Sequence, residues 1–408
     1  MSSKEFPSLL LLPPPPTPAT RVSLSAAYRP SLQAALTKTR NHDRPTTLFI
    51  AVVSPILSGT SSRDKRLSWS HAQSILAGLY SLVAAICADA GIPGEVGGGP
   101  GSVDARILLV DDHDPVGRYG EAGNKAAVVA NNTAVVDLAT FACTYRPWNL
   151  ILYPEGEAAY RVRASFLECA ERRQTILQSQ LVAVESGLTM NDKTTAAQAA
   201  TDIDGASGHG GRGGPQSYQT VCLGGTSRNA GSSKSSRFIV GITGDALLKN
   251  KKFAEYVQAW DERALAVVDF VSSLLDLRDE GWKETWGSTG PARSITRREP
   301  GRIEAEFRDG TVKLECVEIQ DAFGPTITDE GVESLVVSGE TRAGGQAVNE
   351  RRKSLGWKEL DVYEVDVLDA QETLDDVEPG SREDYSSKIS STALRQQRAN
   401  AAAKGLTS

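Results

Sequence analysis

Short apolar runs of strand length, separated by segments with helical spacing, recur along most of this chain and narrow its architecture. "TTLFIAVVSPIL" (46–57), "ARILLVDDHD" (105–114) and "WNLILYP" (148–154) read as strands. "SWSHAQSILAGLYSLVAAICADAG" (68–91) and "EAAYRVRASFLECAERRQTILQSQLVAVE" (157–185) read as helices, the second long and amphipathic. Strands separated by helices imply a parallel or mixed sheet. A second series follows a Gly/Ala/Ser-rich stretch at 186–216, which reads as a linker. It opens with "VCLGGTSRNAGSSKSSRFIVGITGDALL", Val221 to Leu248, two buried strands that each end in glycine. In "KKFAEYVQAWDERALAVVDFVSSLLDL", Phe253, Val257, Trp260, Ala264, Val267, Val271 and Leu274 step by four and three, which puts them on one helix face. "DLRDEGWKETWGSTGPARSITRREPG" reads as a polar insertion, and "RIEAEFRDGTVKLECVEI" as a hairpin turning at Asp309-Gly310. "SLVVSGE", a helix in "AVNERRKSLG", "LDVYEVDVL" and a last helix from "SSTALRQQRANAAA" complete an α/β order, a doubly wound parallel sheet.

These patterns divide the chain into a flexible Pro/Ser-rich lead-in (1–45), an α/β domain (46–185), the linker (186–216) and a second α/β domain (217–400). With 408 residues and 40% hydrophobic content there is material for two cores. A net charge of −7 and a pI near 5.4 argue against a nucleic-acid binder driven by bulk charge. The five cysteines, Cys87, Cys143, Cys169, Cys222 and Cys316, form no C-x-x-C pair, so neither zinc nor a disulfide framework is expected. "LLLLPPPP" is too short for a signal-peptide core, and no run approaches the roughly 18 apolar residues of a membrane span. A cytoplasmic protein with neither membrane nor nucleic-acid partner is the expectation.

Ligands of open α/β sheets bind where strands turn through glycine into helix N-termini. Four such ends occur in the second domain: "LGGT" (223–226), "GITGD" (241–245), "VVSGET" (336–341) and "KISSTALR" (388–395). In the last, Ser390, Ser391 or Thr392 either only caps a helix or, with Arg395 one turn on, receives phosphate oxygens. Lys249, Lys251 and Lys252 are either a solvated run or include one ammonium turned into the strand-end cleft.

"LGGT", "GITGDALLKNKKFAEY…WDER", "IQDAFGPTITDEGVESLVVSGETRAGGQAVNERR" and "KISSTALR" together resemble the phosphopantetheine adenylyltransferase domain of eukaryotes, the fungal type especially, over about 217–400. The stretch from Asp321 to Arg352 is the most specific part, whereas "ISSTxxR" is shared across the cytidylyltransferase-like superfamily. The resemblance implies a Rossmann-like nucleotidyltransferase sheet. The implied reaction is ATP plus 4′-phosphopantetheine to dephospho-coenzyme A and diphosphate, in coenzyme A biosynthesis and often with Mg²⁺. Carried over by motif, Gly224, Gly225 and Thr226 border the ATP phosphates, and Ser390, Ser391, Thr392 and Arg395 hold the β,γ-phosphates. Ser338, Gly339, Glu340 and Thr341 lie near the adenosine, and Lys249 meets the substrate phosphate. Other enzymes of coenzyme A synthesis are possible partners, and the 185 leading residues are similar to the poorly understood leading domain of fungal members.

One departure cuts against activity. In the family, Gly-Gly-Thr runs at once into Phe-Asp and an H-x-G-H motif that opens the first helix and contacts the phosphates. Here "GGTSRNAGSSKSSRF" follows instead, and all four histidines, His42, His71, His113 and His209, precede Val221. Ten residues, 227–236, replace a parallel crossover that needs about a dozen or more. No catalytic residue is therefore assigned. Either a wrongly spliced gene model or a degraded paralogue accounts for the gap. The alternative function is a non-catalytic nucleotide-binding or scaffold subunit; a third is transfer to a different phosphorylated acceptor.

Overall fold

The computed structural model describes residues 6–58, 66–93, 99–112, 135–143, 148–171, 180–187, 236–275, 294–307 and 310–365, with parts of 392–400. The chain divides into two units, one of residues 1–222 with 374–376 and the other of 223–373 with 377–408.

The first unit is built on strands that read as unbroken apolar runs, the signature of a parallel sheet buried on both faces. β1 (Ser8–Leu12), β2 (Thr46–Ser54), β5 (Val103–Asp111), β6 (Val136–Asp137), β7 (Ile151–Pro154) and β8 (Leu181–Val184) form one six-stranded sheet in the order β6-β5-β2-β1-β7-β8. Every pairing in it is parallel. A two-stranded hairpin, β3 (Leu57–Ser58) with β4 (Arg66–Leu67), follows β2. Helices α1 (Arg21–Thr39) and α2 (Trp69–Asp89) cover one face with Leu24, Leu32, Leu36, Ile75 and Leu79, over Leu10, Leu12 and Ile50. The two helices touch where Gly78 leaves room: a Cβ there would lie 2.5 Å from Leu24 Cδ1. On the other face α3 (Leu138–Cys143) and α4 (Glu157–Glu171) bring Phe141 and Phe166 to an aromatic group with Trp148 and Phe49.

Three expectations are corrected in this unit. Within the expected flexible lead-in, Leu9 to Leu12 are instead fully buried as a central strand between β2 and β7, and 21–39 are helix. The helix read over 157–185 is described only to Glu171, and its tail is the edge strand β8. The third concerns α2, which is long and apolar enough by composition to cross a membrane. In this fold it spends its apolar residues on the core.

In the second unit β9 (Ser236–Thr243) pairs in parallel with β12 (Val312–Ile319). β11 (Arg302–Phe307) and β10 (Ile295–Glu299) add to β12 in antiparallel fashion, giving the order β10-β11-β12-β9. Gly310, at φ 79°, closes the β11–β12 hairpin in a left-handed conformation that glycine adopts without strain. After α5 (Asp245–Leu248), helix α6 (Trp260–Leu275) packs Trp260, Ala264 and Val268 on Leu314, Cys316 and Ile303. A separate parallel pair, β13 (Ser334–Ser338) with β14 (Asp361–Val365), carries α7 (Arg342–Ser354).

The second unit is thus α/β with parallel pairing, but among its described residues the main sheet is mixed rather than all-parallel. β10 was hidden in the expected polar insertion, because "ITRRE" is charged and four of its five residues are exposed. The expected apolar stripe begins too early. Phe253 and Val257 precede the helix, in the turn around the 3₁₀ segment Ala254–Tyr256.

Candidate functional site

At the carboxyl end of β9, Gly244 caps α5 and Asp245 opens it. The Asp245 carboxylate accepts from the Trp260 backbone N–H at 3.1 Å and from Arg263 Nη2 at 2.6 Å, while Trp260 Nε1 donates to Ile242 O at 3.2 Å. The strand end is thereby fastened to the start of α6. Lys249, the C-cap of α5, is exposed, as are Lys251 and Lys252. The chain then passes through Phe253 at φ 57°, the one described non-glycine residue with positive φ. For a bulky residue that conformation is strained, and such strain gathers at functional turns.

The last helix reaches this turn. Arg395 Nε donates to the Lys252 carbonyl at 3.0 Å, and its Nη2 donates to Thr392 Oγ1 at 3.1 Å. Arg398 Nη1 donates to Tyr256 O at 3.5 Å. Residues 143 apart in sequence, Lys252 and Arg395, thus meet. Thr392 and Arg395 thus lie against the backbone of the turn that follows Lys249. Gly224, Gly225, Thr226, Ser390 and Ser391 lie outside the described residues.

Ser338 to Thr341 form a second group at the end of β13. Ser338 N donates to Thr341 Oγ1 at 3.0 Å, and Thr341 Oγ1 donates back to Ser338 O at 3.1 Å, which closes the 3₁₀ turn Gly339–Thr341 ahead of α7. Arg342, next in the chain, holds Glu364 at the end of β14 by a two-pronged pair of 2.7 and 2.5 Å. That hydrogen bond keeps the Glu364 carboxyl below its ordinary value. A Cβ on Gly345 would meet Val337 and Val362 at 3.4 and 3.5 Å, so the glycine lets α7 lie close on the strands.

The most specific motif, Asp321 to Arg352, is largely scaffold. Asp321 Oδ1 accepts from the N–H groups of Phe323 and Gly324 at 2.8 and 2.7 Å, which fixes the turn and lowers the carboxyl's pKa. Arg352, 1% exposed, donates from Nε to Lys358 O, from Nη1 to Thr326 O and Asp329 O, and from Nη2 to Glu330 O and Val332 O. Asn349 exchanges two hydrogen bonds with Leu360, at 3.0 and 2.8 Å.

The sequence reading assigned no role to the polar face of the β9–β12 sheet, opposite α6. Arg237 and Arg302 clasp Glu315 from two sides at 2.7 and 2.8 Å, and Arg237 also pairs with Asp329. With Ile239 and Val317 they line an open groove of about 690 Å³. Alternation along β12, Lys313-Leu314-Glu315-Cys316, was the available signal.

Among the described residues no three His, Cys, Asp or Glu side chains come together to hold a metal ion. Asp245, the carboxylate at the β9 end, is spent on Trp260 and Arg263.

Residues 1–190 match a family described as "Domain of unknown function (DUF8446)". The chain is 31% identical over 166 residues to an uncharacterized protein of Schizosaccharomyces pombe, covering 41% of this chain and 40% of that one. It is 30% identical over 162 residues to the phosphopantetheine adenylyltransferase of Saccharomyces cerevisiae, covering 40% and 39%. Against the phosphopantetheine adenylyltransferase of Methanothermobacter thermautotrophicus it is 33% identical over 70 residues, covering 17% and 43%. The chain thus spans about two-fifths of the length of the curated relatives it matches. No solved structure matches. These likenesses suggest a distant relation to proteins named phosphopantetheine adenylyltransferase.

Proposed function

We propose that the second unit is a nucleotidyltransferase of the phosphopantetheine adenylyltransferase kind. The reaction would join a phosphate oxygen of 4′-phosphopantetheine to the α-phosphorus of ATP and break the bond to the β-phosphate, with diphosphate leaving. The observation that carries the reading is the hydrogen bond from Arg395 to the Lys252 carbonyl, which brings the guanidinium of the last helix to the turn after β9. A distant likeness to two proteins of that name points the same way.

In this reading Arg395 and Thr392, with Ser390 and Ser391, receive the β,γ-phosphates, and Gly224, Gly225 and Thr226 border them. Lys249 faces the substrate phosphate, and the Ser338–Thr341 turn lies toward the adenosine. Arg395 exchanges its bond to the Lys252 carbonyl for phosphate oxygens, a charge-assisted and stronger contact. Such sites act by orienting the reactants and by neutralising charge as it develops, with each lost donor costing about 10²–10³-fold in rate. With no histidine after Val221, binding outlasts turnover: the chain holds ATP weakly and transfers the adenylyl group near background. A nucleotide-binding subunit without catalysis is the second reading, favoured by the same absence.

Calorimetric titration of the full chain with ATP tests the site. The expected result is weak binding that Arg395→Ala reduces further while the far-UV spectrum stays unchanged. Equal ATP binding by both proteins would remove Arg395 from the site.

A further inference from the structure

In the six-stranded sheet the direction of strand succession reverses between β1 and β7. Right-handed crossovers then send the chain from β1 to one face and from β7 to the opposite face. The packing agrees: α1 shares a core with Leu10 and Leu12, whereas α4 brings Phe166 to the aromatic group on the other side. Between two chain exits that diverge in this way, the carboxyl ends of the strands border a crevice where open α/β sheets bind ligands.

The chemistry at this point is not that of a nucleotide fold. The connection after β1 contains Pro13, Pro14, Pro15, Pro16 and Pro18, none of which has an N–H. A pyrophosphate would find no backbone cradle there. After β7 the chain turns through Gly156, at φ 126°, into α4, and the side chains of Tyr153, Tyr160 and Arg163 meet. The guanidinium carbon of Arg163 lies 4.8 Å from the Tyr153 ring centre and 5.5 Å from that of Tyr160. Arg163 Nη1 donates to Tyr153 Oη at 3.0 Å. Its Nε is buried and has no hydrogen-bond partner, and among the described residues no carboxylate pairs with this arginine.

A guanidinium offers Nε–H and one Nη2–H side by side on a single edge. With Nη1 spent on Tyr153, that edge is what remains, and its spacing matches the two oxygens of a carboxylate. A buried donor left without a partner is uncommon enough to call for an occupant. Glu155 and Glu157, both exposed, flank the turn and disfavour a dianion more than a monoanion. Tyr160, 43% exposed, is free to swing outward and admit a ligand.

We infer that the cluster of Tyr153, Tyr160 and Arg163, where β7 turns into α4, binds a small organic carboxylate, held by the Nε–Nη2 edge of Arg163 and covered by Tyr160. The test is a titration of the full-length chain, labelled with ¹⁵N-arginine, with acetate or with inorganic phosphate at matched ionic strength. Acetate should move one Nε–Hε resonance, and phosphate at equal concentration should leave it in place. That resonance should be missing from Arg163→Lys, whose single ammonium lacks the fork. In the same variant, the rise in thermal midpoint that acetate gives the parent over chloride should weaken about tenfold or more in apparent affinity. The inference is overturned if acetate moves no arginine Nε signal in the parent protein, a result that does not depend on the variant folding. It is equally overturned if phosphate moves the signal as strongly, or if Arg163→Lys responds to acetate as the parent does.

Discussion

Arg352 shows how a family motif can be legible while its purpose is not. Its place in "AVNERR" marks it in the sequence, yet a buried arginine bound to five backbone carbonyls has no local signature, because its partners lie 6 to 26 residues away. Truncating it leaves those carbonyls without their donor in a buried place. Arg352→Ala should therefore cost the second unit about 3 kcal/mol or more, read from urea unfolding. Arg352→Lys should recover little, since one ammonium cannot span that set. Asp329 offers a pH test. The hydrogen bond from Arg237 holds its carboxyl below the ordinary value. Its contribution is therefore present above the unfolded carboxylate pKa, about 3.9, and is lost as pH falls through the lower folded value. Arg237→Met should flatten the fall in stability on the acid side while changing little at neutral pH beyond a small offset, because the pair is partly solvent-screened. An unchanged acid limb in urea midpoints measured from pH 6 down would reject the assignment.

At the scale of elements, the strands of the first unit were the most readable part and β1 the least. "SLLLL" has only five residues and runs straight into prolines, so it reads as a broken apolar run rather than as a strand. Helix α1 was masked by Pro30 within it and by its serines and threonines. Their weight is plain only from the pairing, since β1 bonds to both β2 and β7. Deleting residues 1–45 should therefore abolish the cooperative unfolding of the first unit instead of trimming a tail. Leu10→Ala alone should cost roughly 2–5 kcal/mol, as for other fully buried leucines. A chain starting at 46 that keeps its sheet signal and its thermal transition would contradict the central position of β1. In the second unit, the β11–β12 hairpin was announced by Asp309-Gly310 and appears as read. The exposed, charged β10 carried no apolar pattern to announce it.

Across the whole molecule, two cores stand behind two different kinds of knowledge. The first unit, most of it matched by a family of unknown function, offers a parallel sheet and an arginine, Arg163, whose buried Nε has no hydrogen-bond partner. The second carries strand ends, a strained turn and an arginine of the kind used on phosphates, and it has no histidine after Val221. The candidate site was legible as motifs because glycine turns and helix caps are local. The meeting of Arg395 with the Lys252 carbonyl was not, because only the packing of the last helix brings them together. The most direct test compares dephospho-coenzyme A formation by the 408-residue chain with that of a chain repaired after Thr226. The repair is roughly two to three dozen residues carrying Phe-Asp, H-x-G-H and an amphipathic helix, enough for a right-handed crossover. Turnover should be near background in the first protein and should rise by at least about 10²-fold in the second, together with its stability, and Arg395→Ala in the repaired chain should lower it again. A repaired chain that folds stably yet transfers no adenylyl group to 4′-phosphopantetheine, or an unrepaired one that turns over robustly, would contradict the account.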